Sequence, residues 1–483
     1  MFKTDLPIGT RGNLSIWALG GQSKITFLGK DIDTNAPDAY GDENTNTRVK
    51  YSAGIGVVAY EHRFSNRTVG RLTMSGSRTT QQFRGDTVIY QSEGVVSREI
   101  ASGAADFTQG KLSLNGKLTH KLSAKDKLSG GVIVDFIRYD LQNQQLYPTL
   151  LSERNTTGET ALFQVYGQWQ HRFSNRLMVN TGLSVMSLAL NNTSAVEPRA
   201  GLLYQLSPTS SLNLGYGLHS IMQPILTYFY QTRQANGGYA LTNKDLGFTR
   251  SHYIVLGYDR MLTPTLRLKA EAYYQSLFNV PVERTASYYS ALIEGVSFAP
   301  INKGNLVSSG MGQNYGVELT LEQFFDHNYY FLATASIFNS TYKGSDGVAR
   351  NTPFNNRYVI NLLAGKEWRI GSKNNVLIAN WKVATAGGRY TTPINVARSA
   401  ELRTEVNDFS RAFSEEQPAY LRIDLKVGCR MNRARLTHEF ALDLQNVSNQ
   451  QNVFQQAYNP RTNKISTAYQ QGFLPVPYYR VTF

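Results

Sequence analysis

The sequence predicts an all-β protein: a transmembrane antiparallel barrel of about 18 strands. Three observations predict it. Long stretches alternate apolar and polar residues with a period of two. Tight turns alternate with long polar loops along the whole chain. The composition is poor in charge yet only modestly hydrophobic: 17% of the 483 residues are charged, below the roughly 25% of ordinary globular chains. Mean hydropathy is −0.33. No run of 18 apolar residues occurs, so no helix is expected to cross a bilayer.

The strands come first. RGNLSIWALGGQSKITFLG (11–29) is expected to be the first of them. FQVYGQWQ (163–170) sets Phe163, Val165 and Trp169 against Gln164, Gln168 and Gln170. TLRLKAEAYY (265–274) sets Leu266, Leu268, Ala270 and Ala272 against Arg267, Lys269 and Glu271. In AYLRIDLKVGCRM (419–431), Leu421, Ile423, Leu425 and Val427 oppose Arg422, Asp424 and Lys426. Successive side chains of a strand point to opposite faces, so one face is oily and the other charged. Such alternation over ten or more residues exceeds the five or six of common soluble strands. The final stretch, PYYRVTF (477–483), keeps the pattern to the last residue, with Tyr479, Val481 and Phe483 on the oily face.

The joints come next. HRFSNRT (62–68) recurs as HRFSNRL (171–177), and short joints of related type occur at 119–128, 204–212, 258–268, 322–331, 366–377 and 429–436. Each is built of Ser, Asn, Asp, Gly or Pro, the residues of tight turns. Between them lie loops at 31–47, 83–109, 141–158, 222–249, 280–310, 343–354, 387–418 and 447–471, with only 191–196 short. Short turns at one rim and long loops at the other describe an outer-membrane barrel. Only a closed barrel satisfies every backbone group in lipid without helices.

Net charge is +14, but the basic residues are dispersed with no block of five or more, so nucleic acid is not the expected partner. Anionic headgroups or a basic inner wall account for them. Residues 1–25 contain no apolar signal-peptide core. The one cysteine, Cys429, sits in a strand and reads as a packing residue.

EPRAGLLYQLSPTSSLNLGYGLHSIMQP (197–224), LGFTRSHYIVLGYDR (246–260), NYGVELTLEQFF (314–325) and the last forty residues resemble the barrel of a TonB-dependent receptor. The resemblance covers nearly the whole chain and is most specific in 197–260 and at the end. It implies ligand-specific uptake of a scarce nutrient across the outer membrane: an iron chelate, a cobalamin, a glycan or a peptide. It implies that the terminal aromatic strand, through Tyr479, Val481 and Phe483, addresses the barrel-assembly machinery. Outer-membrane lipid and lipopolysaccharide are the implied surroundings. Family members also carry a TonB-engaging motif, a plug and a 22-strand barrel. None of the first two is found here, so residues 1–483 are expected to be a partial barrel domain without a plug, the C-terminal portion of a longer receptor. TonB would then act only through a missing N-terminal part. A porin-like passive channel or an inactive fragment is the alternative.

Candidate sites are few. HEFAL (438–442) begins like a zinc-binding HExxH, but Leu442 stands where the second His belongs. No enzyme signature holds, and no cofactor is expected. Asp31, Asp33 and Asn35 are spaced like the opening of a calcium loop, yet its Gly and later Glu are misplaced. An acidic solvated loop is the preferred reading there. Tyr228, Phe229, Tyr230, Arg233 and Tyr239 cluster on one outer loop. They suit either ligand contact or packing at the interface. SYYSALIEGVSFAP (287–300) is a second aromatic-rich loop. Arg422, Asp424 and Lys426 are expected to line the lumen.

Overall fold

The computed structural model describes residues 2–32, 44–92, 95–295, 301–371, 375–460 and 462–483. One antiparallel sheet of twenty strands dominates it. Nineteen of these form the wall and follow one another in chain order; the other, Ala349–Asn351, is a three-residue flap on β14. The wall strands are β1 Phe2–Ile8, β2 Gly12–Phe27, β3 Thr45–Arg63, β4 Thr68–Ser92, β5 Val95–Lys121 and β6 Asp126–Gln145. Then come β7 Leu151–Arg172, β8 Leu177–Leu188, β9 Thr193–Ser207, β10 Ser210–Ile221, β11 Thr249–Met261, β12 Leu266–Glu283 and β13 Leu306–Asp326. Last are β14 Tyr329–Lys343, β15 Tyr358–Ile370, β16 Asn375–Ala386, β17 Tyr420–Asn432, β18 Thr437–Gln445 and β19 Leu474–Thr482. Among the described residues no helix is long and apolar enough to cross a membrane.

The turns explain the meander. In HRFSNRT the Ser65 hydroxyl accepts the N–H groups of Arg67 and Thr68, both at 3.1 Å. Ser174 does the same for Arg176 and Leu177 at 3.1 Å each, and Ser123 for Lys125 and Asp126 at 3.0 Å each. Thr263 repeats the device for Thr265 and Leu266. A side-chain oxygen that satisfies two turn N–H groups lets the chain reverse within a few residues. Between β13 and β14 the reversal instead uses two left-handed residues, His327 and Asn328, at φ 48° and 62°. Every such turn lies at one end of the sheet. Because the strands alternate in direction, both HRFSNR copies fall at the end where β19 delivers Phe483.

The two faces differ as the period of two predicts. On β17, Val427 is 40% exposed, and across the sheet from Leu425 stands Trp381, 45% exposed. The opposite face carries ion pairs instead. Large exposed apolar side chains recur on one parity along many strands, such as Val132 and Phe136 on β6 and Ile254 and Leu256 on β11. In lipid that exposure is burial. The other face holds the core. Phe107 of β5, Tyr139 and Leu141 of β6, Leu188 of β8 and Leu306 of β13 share one buried cluster with Tyr228 and Phe229. In a flat sheet β5 and β13 would stand about 38 Å apart at 4.8 Å per strand. A shared cluster requires the sheet to roll into a barrel with this face inside.

Two features differ from the sequence expectation. The first strand is β1, ahead of 11–29; its Pro7 argues against a central strand, but β1 pairs only with β2 among the described residues, and an edge tolerates Pro. Residues 141–158 and 83–109 are mostly strand, not loop. There β4 and β5, of 25 and 27 residues, run on as a hairpin well past the roughly 9–11 residues a bilayer needs. Their outer halves carry polar residues on both parities, so no amphipathic stripe marks them. With β1 included, the wall has nineteen strands where about 18 were expected. Strands β1 and β19 are the sheet edges, and both run toward the turn end.

Candidate ligand cavity at the loop end

Three long loops meet at the end opposite the turns: 284–305 after β12, 387–419 between β16 and β17, and 446–473 between β18 and β19. Buried asparagines hold them. Asn243, fully buried, donates to Thr227 O and Lys303 O at 3.0 and 2.7 Å and accepts from Leu306 N at 3.0 Å. Asn446, 2% exposed, donates from its backbone N–H to Asp424 Oδ1 at 2.9 Å and from its side chain to Gln450 O at 3.0 Å. An amide has two donors and an acceptor, so one side chain can pin several backbone segments.

With Pro353 the loops line a half-open cavity of about 680 Å³, within the range of small-molecule sites. Tyr288 stacks on Phe409 with ring centroids 4.4 Å apart and planes 6° from parallel. Tyr390 donates to Glu416 Oε2 at 3.2 Å, and the Arg357 guanidinium lies 5.3 Å from its ring. Half-buried Arg389 donates from Nε to Gln417 Oε1 at 2.9 Å and also reaches Phe454 O. Lys303 lies over the Tyr289 ring at 5.4 Å and pairs with Glu283 at 3.1 Å.

Burial tunes these groups. It pushes the Tyr288 hydroxyl up to about 12 and lowers the affinity of Arg389 for its proton. The Glu294 carboxyl is raised by burial, with Tyr289 and Lys303 partly offsetting this. The cavity therefore presents aromatic faces, two cations and the carboxyls of Glu294, Glu405 and Glu415, of which burial raises the pKa of Glu294. Such a lining can stack on and hydrogen-bond a compact ligand.

The residues expected to form a binding cluster are divided. Tyr228 and Phe229, on and just after helix α1 (Ile225–Tyr228), are 0% and 4% exposed and pack into the core. Phe229 meets Tyr139 at 4.5 Å, and the Tyr228 hydroxyl accepts from Gln223 N at 3.1 Å. These two rings fill the space between loop and wall, so the structure gives them packing rather than ligand contact. Tyr230 lies beside the Arg154 guanidinium at 5.3 Å. Arg233 and Tyr239 face each other on an exposed two-stranded flap, and Tyr239 accepts from Ser152 N at 3.3 Å.

Arg422, Asp424 and Lys426 share the inner face of β17. Arg422 binds Asp424 at 2.7 Å and Gln445 at 3.0 Å. Lys426 and Arg480 bind the two oxygens of Glu439, 6% exposed, at 3.2 and 2.6 Å. Tyr479, Val481 and Phe483 lie on the outer face, 58%, 38% and 95% exposed. Asp31 is exposed in a single turn, Gly29–Asp31, while Asp33 and Asn35 lie outside the described residues. Among the described residues no group of three or more His, Cys, Asp or Glu is placed to hold a metal ion.

Sequence reasoning missed Arg154, Arg389 and Tyr390. Arg154 is fully buried. It donates from Nε to Leu226 O at 2.8 Å, to Asn302 Oδ1 at 2.8 Å and to Ile301 O. It thereby ties α1 to the loop that carries Lys303. Nothing in SERNTT (152–157) distinguishes it from a solvated loop arginine.

Residues 3–449 match the family model described as TonB dependent receptor-like, beta-barrel. No curated protein matches the chain. Among solved structures it is similar to the ferric-catecholate import receptor Fiu of E. coli K12, at 14% identity and a TM-score of 0.68, over 99% of this chain and 73% of that one. The ferric yersiniabactin uptake receptor FyuA of Yersinia pestis gives 13% and 0.67, over 98% and 69%. The ferric preacinetobactin receptor BauA of Acinetobacter baumannii gives 13% and 0.63, over 98% and 70%. Likeness at such identities shows the fold alone; the family match shows more. The chain belongs to the TonB-dependent receptor β-barrel family, a family of receptors rather than enzymes.

Proposed function

We propose that this chain is the ligand-selecting barrel of an outer-membrane receptor, and that its ligand is a compact metal chelate of the ferric siderophore class. The observation that carries the proposal is the half-open cavity of about 680 Å³ lined by the loops at the end away from the turns. Its stacked Tyr288 and Phe409 offer flat apolar surface, and Arg389 and Lys303 offer donors to chelate oxygens. The ferric-chelate receptors named above share the fold, which favours this class over a glycan, cobalamin or peptide.

The barrel is proposed to be partial. All the described residues belong to the wall or its loops, so the plug on which TonB acts in this family would come from outside them. The edges support this: β1 and β19 run in the same direction, and antiparallel closure between them takes an odd number of further strands. Tyr479, Val481 and Phe483 would serve recognition by the barrel-assembly machinery, and lipid with lipopolysaccharide would cover the outer face. Arg422, Asp424 and Lys426 would line the lumen against the plug.

The test is titration of the purified barrel with ferric chelates and their metal-free forms, followed by tryptophan fluorescence. Binding of a ferric chelate that weakens about tenfold in Tyr288→Ala and in Arg389→Ala supports the proposal. Binding unchanged in both variants, or absent for every chelate, overturns it. Steady wide conductance in planar bilayers, with no chelate bound, would favour the passive channel.

A further inference from the structure

Three consecutive turns share a pattern that ligand uptake does not use. Each places an exposed apolar residue, then Ser, then one residue, then a cation. They are Phe64-Ser65-Asn66-Arg67, Leu122-Ser123-Ala124-Lys125 and Phe173-Ser174-Asn175-Arg176. The apolar members are 57%, 49% and 54% exposed. They continue the outward parity of their strands, in line with Val58 of β3, Leu118 of β5 and Trp169 of β7. The serine hydroxyl binds the N–H of the cation in each turn, at 3.1, 3.0 and 3.1 Å, and so fixes where the cation stands. In both copies of HRFSNR the preceding histidine packs edge-on against the phenylalanine: His62 on Phe64 at 4.8 Å and 67°, His171 on Phe173 at 4.4 Å and 77°. The wedge is thus braced in one pose.

Arg67, Lys125 and Arg176 are exposed and form no side-chain ion pair or hydrogen bond among the described residues. Inner-face cations behave otherwise, as Lys426 and Arg480 show on Glu439. The nearby carboxylate, Asp126, is already engaged by His171 at 2.6 Å, Ser123 at 2.7 Å and Trp169 at 3.1 Å. Neighbouring turns are two strands apart, so the three span an arc of about 20 Å along the rim. The next two joints keep the apolar residue and the hydroxyl but lack the cation: Leu206-Ser207-Pro208-Thr209 and Leu262-Thr263-Pro264-Thr265. The pattern therefore stops on that side of the arc, while the turns at 9–11 and 432–436 carry cations of their own, Arg11 and Arg435, without the apolar-Ser pair.

We propose that this arc binds the headgroups of anionic phospholipids in the leaflet at the turn end. Phe64, Leu122 and Phe173 enter the acyl region, and Arg67, Lys125 and Arg176 meet the phosphate layer beside them. A basic residue at an anionic surface strengthens binding by about fivefold, so three together give about a hundredfold preference over zwitterionic lipid at low salt. The proposal rests on the barrel lying in a bilayer, not on the identity of the transported ligand.

Native mass spectrometry of the barrel released from nanodiscs tests it, with phosphatidylethanolamine discs carrying phosphatidylglycerol as the probe. The wild-type protein should retain phosphatidylglycerol well above its share of the disc. The triple variant Arg67→Gln, Lys125→Gln, Arg176→Gln should lose that enrichment, while Arg67→Lys with Arg176→Lys keeps it. Thr209→Lys, which extends the charged arc by one turn, should raise it. Because that variant gains retention, misfolding cannot imitate its result. Equal retention of both lipids by the wild type, or enrichment unchanged in the triple variant, overturns the proposal.

Discussion

Replacing Arg154 with methionine should loosen the loop end without unfolding the wall. The guanidinium is fully buried and serves three acceptors: Leu226 O, Asn302 Oδ1 and Ile301 O. It also lies 5.3 Å from the Tyr230 ring and 5.9 Å from the Phe107 ring. Methionine keeps much of the volume but none of the donors. Two buried carbonyls and one amide oxygen are then orphaned at about 1–3 kcal/mol each. Relief from desolvating the cation offsets part of this, leaving a cost of about 3–5 kcal/mol, as for other broken buried networks. That is a rise of roughly a hundredfold to several thousandfold in local opening. The rise should be confined to α1 and to 301–306, because wall strands keep their ladders. Hydrogen exchange read by mass spectrometry separates the two. Exchange should accelerate in 225–231 and 301–306 and stay unchanged in Tyr420–Asn432. Lys303 stands on the loosened segment, so chelate affinity should fall as well. Unchanged exchange in both loop segments, or acceleration throughout the wall, would show that Arg154 does not pin α1 to the 301–306 segment.

Other outcomes follow from the same loops. Glu294 has its proton affinity raised by burial, so the folded loop holds that proton more tightly than the unfolded one. Its contribution is complete below the ordinary carboxyl value of 4.5 and is lost as pH rises through the higher folded value. Protection in 284–295, taken relative to the intrinsic exchange rate at each pH, should therefore be greater at acidic than at neutral pH, and Glu294→Gln should abolish the difference. Asp346 shows the opposite sign: hydrogen bonding to Arg350 lowers its pKa, so its contribution is present above 3.8 and fades as pH falls further. A double-mutant cycle on Tyr288→Ala and Phe409→Ala should give a coupling of about 0.5–1.5 kcal/mol in loop exchange, the worth of a stacked pair beyond its area. Asn446→Leu should free the 446–473 loop, seen as faster trypsin cleavage there than in the wild type, since it removes the side-chain contacts to Gln450 O and Gln471 O while leaving the backbone bond to Asp424.

Much of the wall was legible in the sequence because lipid and the lumen select opposite residues on alternate positions. Leu425 beside Lys426 shows this in two residues. The turns were legible because Ser65 and Ser174 act locally, through N–H groups two and three residues on. Where both faces meet water the signal vanishes, and the outer halves of β4 and β5 were read as loop. Strand β1 was hidden by Pro7, which an edge permits. The loop end was least legible. Tyr228 and Tyr288 look alike in sequence, yet one fills the core and the other lines a cavity. What separates them is set by distant partners: Arg154 meets residues 72 and 147 positions away. No local pattern encodes such contacts.

The two-faced wall is the claim on which transport, lipid contact and family reading all rest, and paired spin labels test it most directly. In a Cys429→Ser background, a nitroxide at Leu425→Cys should relax with lipid-dissolved oxygen, and one at Lys426→Cys with a water-soluble nickel chelate. Equal access of the nickel chelate to both positions, or shielding of both from either reagent, would contradict the account.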